Sequence, residues 1–323
     1  MLANRLTPAA FFAVFAFITL LPSQAVAAES GWAEDRVQVD LGLDEDGKTA
    51  PEAFVPFNWG DGWSSGIGFR SRQSDSNETI PGFTDSRVGT SVSEDRLRLN
   101  LIALEKGSES TKWSVGADFE QVTIDQLQFG YFQMPNPYVP NPAVAGEYVA
   151  FDSQVDVVIT KPNVFADFTR IGKSINFRAG LSISPASSLA VDQETRFIPL
   201  IPTAGTRSST NSQDLSYDLS LELEYKTGGS VNIGFGYYYE LLPMQYDIAA
   251  LNATADGFNN QTVDIEQATS RMALRFIFNE PVSGNLKPVV GIVLEDVEVT
   301  DVANNKTETE TKNIITFGLE SRF

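Results

Sequence analysis

Hydrophobic and polar residues alternate along most of the chain after Trp63. The alternation has the two-residue period of a β-strand, and it comes in segments of about the ten residues that a tilted strand needs to cross a membrane. Segments 215–225 and 231–241 show it most clearly, with Leu, Tyr, Phe and Ile on one face and mostly Asp, Glu, Ser, Asn and Gly on the other. The Lys226-Thr227-Gly228-Gly229 sequence between them predicts an antiparallel hairpin with a tight glycine turn.

The connections between the predicted strands alternate in length. Short connections are expected at 106–110, 171–174, 226–230 and 279–285, and long loops at 73–92, 126–152, 185–213 and 243–262, with 301–306 as an exception. Short turns at one end and long loops at the other are typical of an up-and-down transmembrane β-barrel. The pattern predicts an all-β, antiparallel barrel of about ten strands, or twelve if the preceding segment forms another hairpin.

The N-terminal part of the chain differs from the rest. Residues 1–28 combine Arg5, an apolar run from 9 to 21, Pro22 and the small-residue sequence Ala25-Val26-Ala27. These features predict a secretory signal peptide. Residues 29–60 are interpreted as an N-terminal extension, a plug or an extra hairpin, and residues 61–323 as the barrel.

A soluble β-sandwich is the rival fold, because its strands alternate in the same way. In a sandwich the apolar faces form the core, whereas in a membrane barrel they face lipid. An even number of strands, alternating connection lengths and aromatic residues at the ends of apolar stripes favour the barrel. Examples of such residues are Trp113, Tyr217 and Tyr237.

The last segment, 311–323, places Ile315, Phe317, Leu319 and Phe323 on one face of a strand and ends on the phenylalanine. In this it resembles the Gram-negative outer-membrane β-barrel class, whose last strand ends in Phe and is read by the barrel-assembly machinery. The resemblance implies a location in the outer membrane. The short connections, which are periplasmic in such barrels, then predict that both termini lie in the periplasm. The resemblance also implies outer-membrane lipid, lipopolysaccharide and the assembly machinery as partners.

Composition restricts the chemistry. The chain has neither cysteine nor histidine, and its formal net charge is −19. Disulfides, thiolate sites and the commonest general base are therefore absent, and the acidic balance argues against nucleic acid as a partner. The enzymes of the resembled class depend on a histidine, so we expect no catalytic residues, no enzymatic activity, no metal site and no cofactor.

The polar faces of the predicted strands carry many charges. If these faces point inward, the lumen-lining residues are Arg70, Arg96, Arg98, Asp118, Glu120, Arg178, Asp218, Glu222, Glu240, Arg271, Arg275 and Glu295. Basic and acidic residues lie on different strands, so they could set up a transverse field across a water-filled constriction. Alternatively, the same side chains pair with each other and fill a narrow lumen.

One predicted loop, 126–152, is rich in aromatic residues and proline. Phe129, Tyr131, Phe132 and Tyr138 could fold into the barrel mouth as a constriction or bind a ligand. The alternative is a packed cap over the rim.

The function expected from the sequence is a porin-like outer-membrane channel, or a passive transporter, for small polar solutes. The alternative is a non-conducting barrel that works through its extracellular loops as an adhesin, a receptor or an envelope-structure protein. A narrow lumen filled by ion pairs would favour the second.

Overall fold

The structure is a computed structural model that describes residues 36–44, 47–78, 87–133, 148–198, 201–252, 257–282, 287–303 and 305–322. All its regular elements are strands. They are β1 (Arg36–Asp44), β2 (Thr49–Gly60), β3 (Trp63–Glu78), β4 (Arg87–Ser108), β5 (Thr111–Gln133), β6 (Tyr148–Ile171), β7 (Ile175–Ser184), β8 (Ser187–Ile198), β9 (Ile201–Gln213), β10 (Ser216–Tyr225), β11 (Val231–Asn252), β12 (Gly257–Phe278), β13 (Lys287–Asp301) and β14 (Lys306–Arg322).

The strands form one antiparallel barrel. The wall runs β1 to β7, continues through β10 to β14, and closes where β14 pairs with β1. Strand β6 pairs with β7 over 164–171 and with β8 over 150–160, so β7 and β8 are two parts of one wall strand. Strands β9 and β10 are likewise two parts of the next. The wall therefore has twelve strands and no open edge where it closes.

The predicted antiparallel barrel is confirmed, and it has the twelve strands of the alternative count rather than ten. Strands β1 and β2 pair with each other and insert between β14 and β3, which is the extra-hairpin alternative for this segment. Arg36 pairs with Arg322, so the described chain begins and ends at the same end of the barrel, here called the proximal end. The predicted signal peptide and Phe323 lie outside the described residues.

An apolar belt surrounds the outside of the barrel near the proximal end. Its residues are exposed in the isolated chain, for example Phe69, Leu221 and Phe317 at 44–50%. The inward neighbours in the same zone are charged and buried, as at Arg70, which is 6% exposed. Apolar residues outside and charged residues inside are the reverse of a soluble sandwich, so the outer-membrane barrel architecture is confirmed. In the described chain there is no helix long and apolar enough to cross a membrane.

The pattern inverts further along the strands. On β5, Val115 faces outward and Glu120 inward, but beyond them Val122 and Ile124 are buried inside while Asp125 is exposed outside. The apolar stripe thus changes from odd to even positions within one strand. Strands β4, β6, β11, β12 and β13 contribute buried apolar residues to the same inner region. The barrel therefore has a distal extension beyond the belt, with a mostly polar outside and an apolar cluster inside.

The predicted long loops are mostly strands of this extension. Strand β4 begins at Arg87, β5 runs to Gln133, and the β8–β9 hairpin occupies most of 185–213. The loop prediction was wrong because each predicted strand ends at its last outward-facing apolar residue, whereas the observed strand continues beyond it. The stripe does not stop there but moves to the other face.

One seam in the extension lacks a backbone ladder. In the described wall, β9 pairs only with β8, and β11 pairs with β10 only from Ile233 to Leu241. Beyond Leu241, side chains join β9 to β11. The side chain of Gln213 accepts from the backbone N–H of Gln245 at 2.5 Å and donates to its carbonyl at 2.8 Å. Asn211 donates to the same carbonyl at 3.0 Å.

The outer face of the extension carries an acidic row. Asp125 on β5 lies directly opposite Asp156 on β6. Partial burial and the neighbouring carboxylates of Asp156 and Asp95 raise the pKa of Asp125 above its ordinary value. Like charges opposite each other on neighbouring strands destabilise a sheet.

We expect Leu221→Arg to destabilise the barrel in lipid vesicles by about 2–4 kcal/mol, because arginine in the middle of the lipid-facing belt loses its hydration. Thr309→Arg, on the exposed outer face of β14 in the extension, should change the free energy of unfolding by no more than about 1 kcal/mol. Urea unfolding of the two refolded variants measures the difference. Equal effects would contradict the position assigned to the belt.

We expect Asp125→Asn to raise the free energy of unfolding by a few tenths of a kcal/mol at neutral pH. The folded state holds the Asp125 proton more firmly than the unfolded state, so the repulsion appears only as the pH rises above about 3.9, the unfolded pKa. It reaches full size above the raised folded pKa. Urea unfolding at about pH 3 is the control, and an equal gain at both pH values would contradict the repulsion.

Candidate functional site in the barrel lumen

The structure places all twelve predicted lumen residues on inward faces. Glu222 and Arg275 are partly buried and the other ten are buried. Together they form an ionic layer inside the apolar belt. The inward direction follows from the register, which puts Asp218 opposite Glu240 and Arg70 opposite Arg96 on neighbouring strands.

The centre of the ionic layer is a network around two cations. The Arg96 guanidinium donates to Glu94 at 2.5 Å, and it lies 3.4 Å from Glu120 and 3.2 Å from Glu240. The Lys161 ammonium lies 2.8 Å from Glu240 and 3.2 Å from Glu120. Because these residues come from β4, β5, β6 and β11, the network links opposite sides of the wall.

Two further groups bridge the same layer. Arg98 pairs with Asp118, which also accepts a hydrogen bond from Asn163 at 2.7 Å. Arg72 on β3 donates to both carboxylate oxygens of Glu295 on β13, at 3.0 and 3.1 Å. Both contacts come from the Nη1 atom of Arg72, so they anchor that end of the guanidinium to the Glu295 carboxylate.

The ionic layer matches the pairing alternative of the sequence analysis. A transverse field needs cations and carboxylates separated by water, whereas Arg96 and Lys161 lie among carboxylates and are 4% and 0% exposed. The assignment of basic and acidic residues to separate sectors is therefore wrong for this part of the lumen. The role of these residues toward a solute remains a prediction.

Sequence reasoning missed three members of the layer. Arg72, Glu94 and Lys161 lie on β3, β4 and β6, just outside both the predicted long loops and the residues assigned to the predicted strands. Two were detectable, since Arg72 has the same parity as Arg70 and Glu94 the same parity as Arg96. Lys161 had no such signal, because Pro162 follows it directly and proline interrupts a strand pattern.

A cavity of about 190 Å³ lies toward the proximal end, and Arg178, Glu222 and Arg275 of the ionic layer are among its lining residues. Its polar lining is tied together by hydrogen bonds: Tyr238 donates to Glu222 at 3.2 Å, and Asn176 and Asn232 donate to Glu224 at 2.8 and 2.9 Å. Gly236 is needed here, because a Cβ atom would lie 2.6 Å from the Tyr238 hydroxyl. The cavity can hold water or a small polar molecule.

An apolar septum lies on the other side of the ionic layer. Fourteen buried side chains of the described chain form one packed cluster inside the extension. They are Val92, Val122, Ile124, Val155, Val157, Ile159, Leu189, Val191, Leu242, Met244, Tyr246, Ile265, Val297 and Val299. A packed apolar layer disfavours water and ions, and it follows the ionic layer along the lumen.

The predicted aromatic loop is partly strand. Phe129 and Tyr131 lie on β5, and their side chains are 56% and 39% exposed on its outer face. Neither ring points into the lumen, so they do not constrict it. The Phe132 side chain and Tyr138 lie outside the described residues, and the ligand-binding alternative for this segment remains a prediction.

Acidic residues do not converge on a metal site in the part of the chain that the structure describes. Carboxylates inside the barrel are matched with arginine and lysine instead, as at Glu120 and Glu240. The expectation that the protein has no metal or cofactor remains a prediction.

No protein-family profile and no curated protein matches the sequence. The fold is similar to solved outer-membrane barrels. The translocator domain of the autotransporter NalP from Neisseria meningitidis is 10% identical, with 98% of each chain covered and a TM-score of 0.47. The P. putida toluene transporter TodX is 9% identical over 89% of each chain, with a TM-score of 0.47. The outer membrane protease OmpT from Escherichia coli is 10% identical over 89% of this chain and 93% of that one, with a TM-score of 0.41. Likeness at this level concerns fold alone.

We expect Lys161→Met to destabilise the barrel by about 3–5 kcal/mol, because it leaves buried carboxylates without their cation. Adding Glu240→Gln should restore part of the loss by removing one uncompensated charge. Lys306→Met is the control, since its pair with Glu308 is exposed and worth no more than about 1 kcal/mol. Urea unfolding measures all three, and equal losses for the two lysine variants would contradict the network.

Proposed function

We propose that the protein is a passive outer-membrane channel for small polar solutes that is closed in this conformation. The observation that carries the proposal is the order of compartments along the lumen, in which a polar cavity leads to a charged layer and then to an apolar septum. Hydrophobic constrictions of this kind close a pore by excluding water and open when they are hydrated. The ionic layer supplies polar groups that could replace the hydration of a solute.

The orientation belongs to the proposal. Outer-membrane barrels have short periplasmic turns and longer extracellular connections. The proximal end, with its short turns and both ends of the described chain, would then face the periplasm, and the distal extension would pass through the lipopolysaccharide layer. The terminal strand β14 would be the segment that the assembly machinery reads.

The packed lumen also favours a second function. If the septum and the ionic layer never open, the barrel is non-conducting and its work lies on the outside of the extension. That surface is built mainly of paired strands, so it would bind as a rigid scaffold rather than through flexible loops. This is the adhesin, receptor or envelope-structure alternative.

Two adjacent leucines on β11 allow a matched test in planar bilayers. Leu242 belongs to the buried septum, whereas Leu241 lies on the outer face. We expect the unmodified barrel to show rare, discrete, salt-proportional openings, and Leu242→Ser to raise the open probability at least several-fold, because a hydroxyl helps water to enter the septum. Leu241→Ser should leave the openings unchanged.

The outcomes separate the two functions. Electrical silence of a folded barrel, both unmodified and with Leu242→Ser, would contradict the channel and support the non-conducting alternative. Heat-modifiable migration in gels shows that each variant is folded before recording. A response to Leu241→Ser equal to that of Leu242→Ser would contradict the gating role of the septum.

A further inference from the structure

The wall of the distal extension has a notch between β14 and β3. Strand β1 ends opposite Ile314, and β2 pairs with β3 only as far as Arg70. Beyond these points, the described part of β14 pairs only with β13, over 306–313, and that of β3 only with β4, over 71–78. The β1–β2 turn therefore forms the floor of the notch, and a free strand edge forms each side.

The notch has the dimensions of a passage for small molecules. At its floor two strands separate β14 from β3, so the two backbones lie about 14 Å apart, which is three inter-strand spacings of about 4.8 Å. Each free edge is about 26 Å long, since a strand rises about 3.3 Å per residue. A gap of this width leaves room beside the side chains of β14 for water and small solutes.

The apolar septum does not extend to β14. Its described members come from β4, β5, β6, β8, β11, β12 and β13. On β14 the residues at the same level are Glu310 and Glu308, which lie directly opposite the septum residues Val297 and Val299. Residues directly opposite each other in a ladder share one face of the sheet. The inner face of the wall thus changes from apolar to charged between β13 and β14.

Solvent reaches this charged face from the side. The side chains of Glu310 and Glu308 are 53% and 42% exposed, whereas Val297 on the neighbouring strand is 2% exposed. An opening at the distal end of the lumen would expose both strands alike, so we infer that the exposure comes through the free edge of β14. The next inward residue, Lys312, is 8% exposed and lies directly opposite Glu295 of the ionic layer.

The charges along this part of β14 are balanced. The Lys306 ammonium lies 2.5 Å from Glu308, and the Lys312 ammonium lies 3.4 Å from Glu310. Two lysines and two glutamates have no net charge, so neither cations nor anions are strongly repelled. Polar groups of this kind replace part of the hydration of a passing solute. The inner face of β14 therefore suits small polar solutes of either sign.

We propose that the notch is a side portal through which small polar solutes and inorganic ions reach the ionic layer from the distal side. The route follows Glu308, Glu310 and Lys312 beside the septum, so a solute does not have to cross the apolar cluster. The ionic layer is then the barrier that remains. For transport the portal rests on the proposed channel function, but access to position 312 can be measured on a barrel that does not conduct.

Single-cysteine variants test this access, because the chain has no cysteine of its own. Lys312→Cys is compared with Gln267→Cys, whose inward side chain on β12 is 2% exposed and lies opposite Val299, in register with Glu308. In lipid vesicles, we expect a charged, membrane-impermeant methanethiosulfonate to modify the Lys312→Cys variant about tenfold faster, because only position 312 adjoins the portal. Cationic and anionic reagents should give the same order. Rates are normalised to those of the urea-unfolded variants.

Filling the notch provides the matched control. Glu310→Trp places a large side chain beside position 312, so it should slow the modification of Lys312→Cys without changing that of Gln267→Cys. Thr309→Trp, on the exposed outer face of the same edge, should leave both rates unchanged. Heat-modifiable migration in gels shows that each variant is folded. Equal rates at the two cysteines, or no effect of Glu310→Trp, would overturn the portal.

Conductance separates the portal from the channel function. In planar bilayers, modification of Lys312→Cys should lower the single-channel current of a conducting barrel, and an unchanged current would overturn transport through the portal. Fast modification of an electrically silent barrel would support the portal and contradict the channel. Openings combined with slow modification at position 312 would support the channel and overturn the portal.

Discussion

The structure depends above all on the pairing of β1 with β14. In the membrane interior no water is available to an unpaired N–H or carbonyl group, so a sheet must close on itself. The register Arg36 to Arg322 through Asp44 to Ile314 provides this closure over the whole of β1. Once the barrel is closed, every second side chain of each strand points into the lumen, because successive side chains of a strand point to opposite faces. The charged residues at these positions are therefore enclosed.

Two environments then act on the same strands. In the belt, lipid selects apolar residues for the outside, and the enclosed charges must find partners in a confined space. Beyond the belt, the outer face is mostly polar and the ordinary hydrophobic effect packs the inside. On β5 the inward-facing side chains change from charged at Glu120 to apolar at Val122, and this change marks the border between the two environments. The lumen therefore contains two different kinds of interaction, ion pairing in one zone and apolar packing in the other.

Much of the fold could be predicted from sequence because the alternation in the belt is strong. The hairpin of β10 and β11 and the inward direction of residues such as Asp218 and Glu240 followed directly from it. The extension was missed because a stripe that changes parity resembles the end of a strand. Strand β2 could be predicted only as part of a possible extra hairpin, because its sequence contains Pro51 and Pro56, which the register accommodates opposite Leu41 and Gly66.

The lumen network could be predicted only in part. Parity shows that Arg96 faces inward, but it cannot show that a carboxylate from β11 reaches the same guanidinium across the barrel. That contact depends on the diameter and shape of the ring, which a single sequence does not encode locally. Lys161 illustrates the limit, because its importance lies in three carboxylates from three other strands.

The seam between β9 and β11 has a mechanical consequence. Strands joined by a full ladder of backbone hydrogen bonds resist separation. The β9–β11 seam is held by a few side-chain hydrogen bonds of Gln213 and Asn211, and it separates more easily because each contributes only about 1 kcal/mol. We therefore expect the cross-section of the distal extension to deform more easily than the cross-section of the barrel inside the apolar belt. Amide hydrogens beside the seam would exchange with solvent sooner than those of the β10–β11 ladder. The distal end of the barrel would then be more deformable than the part inside the apolar belt.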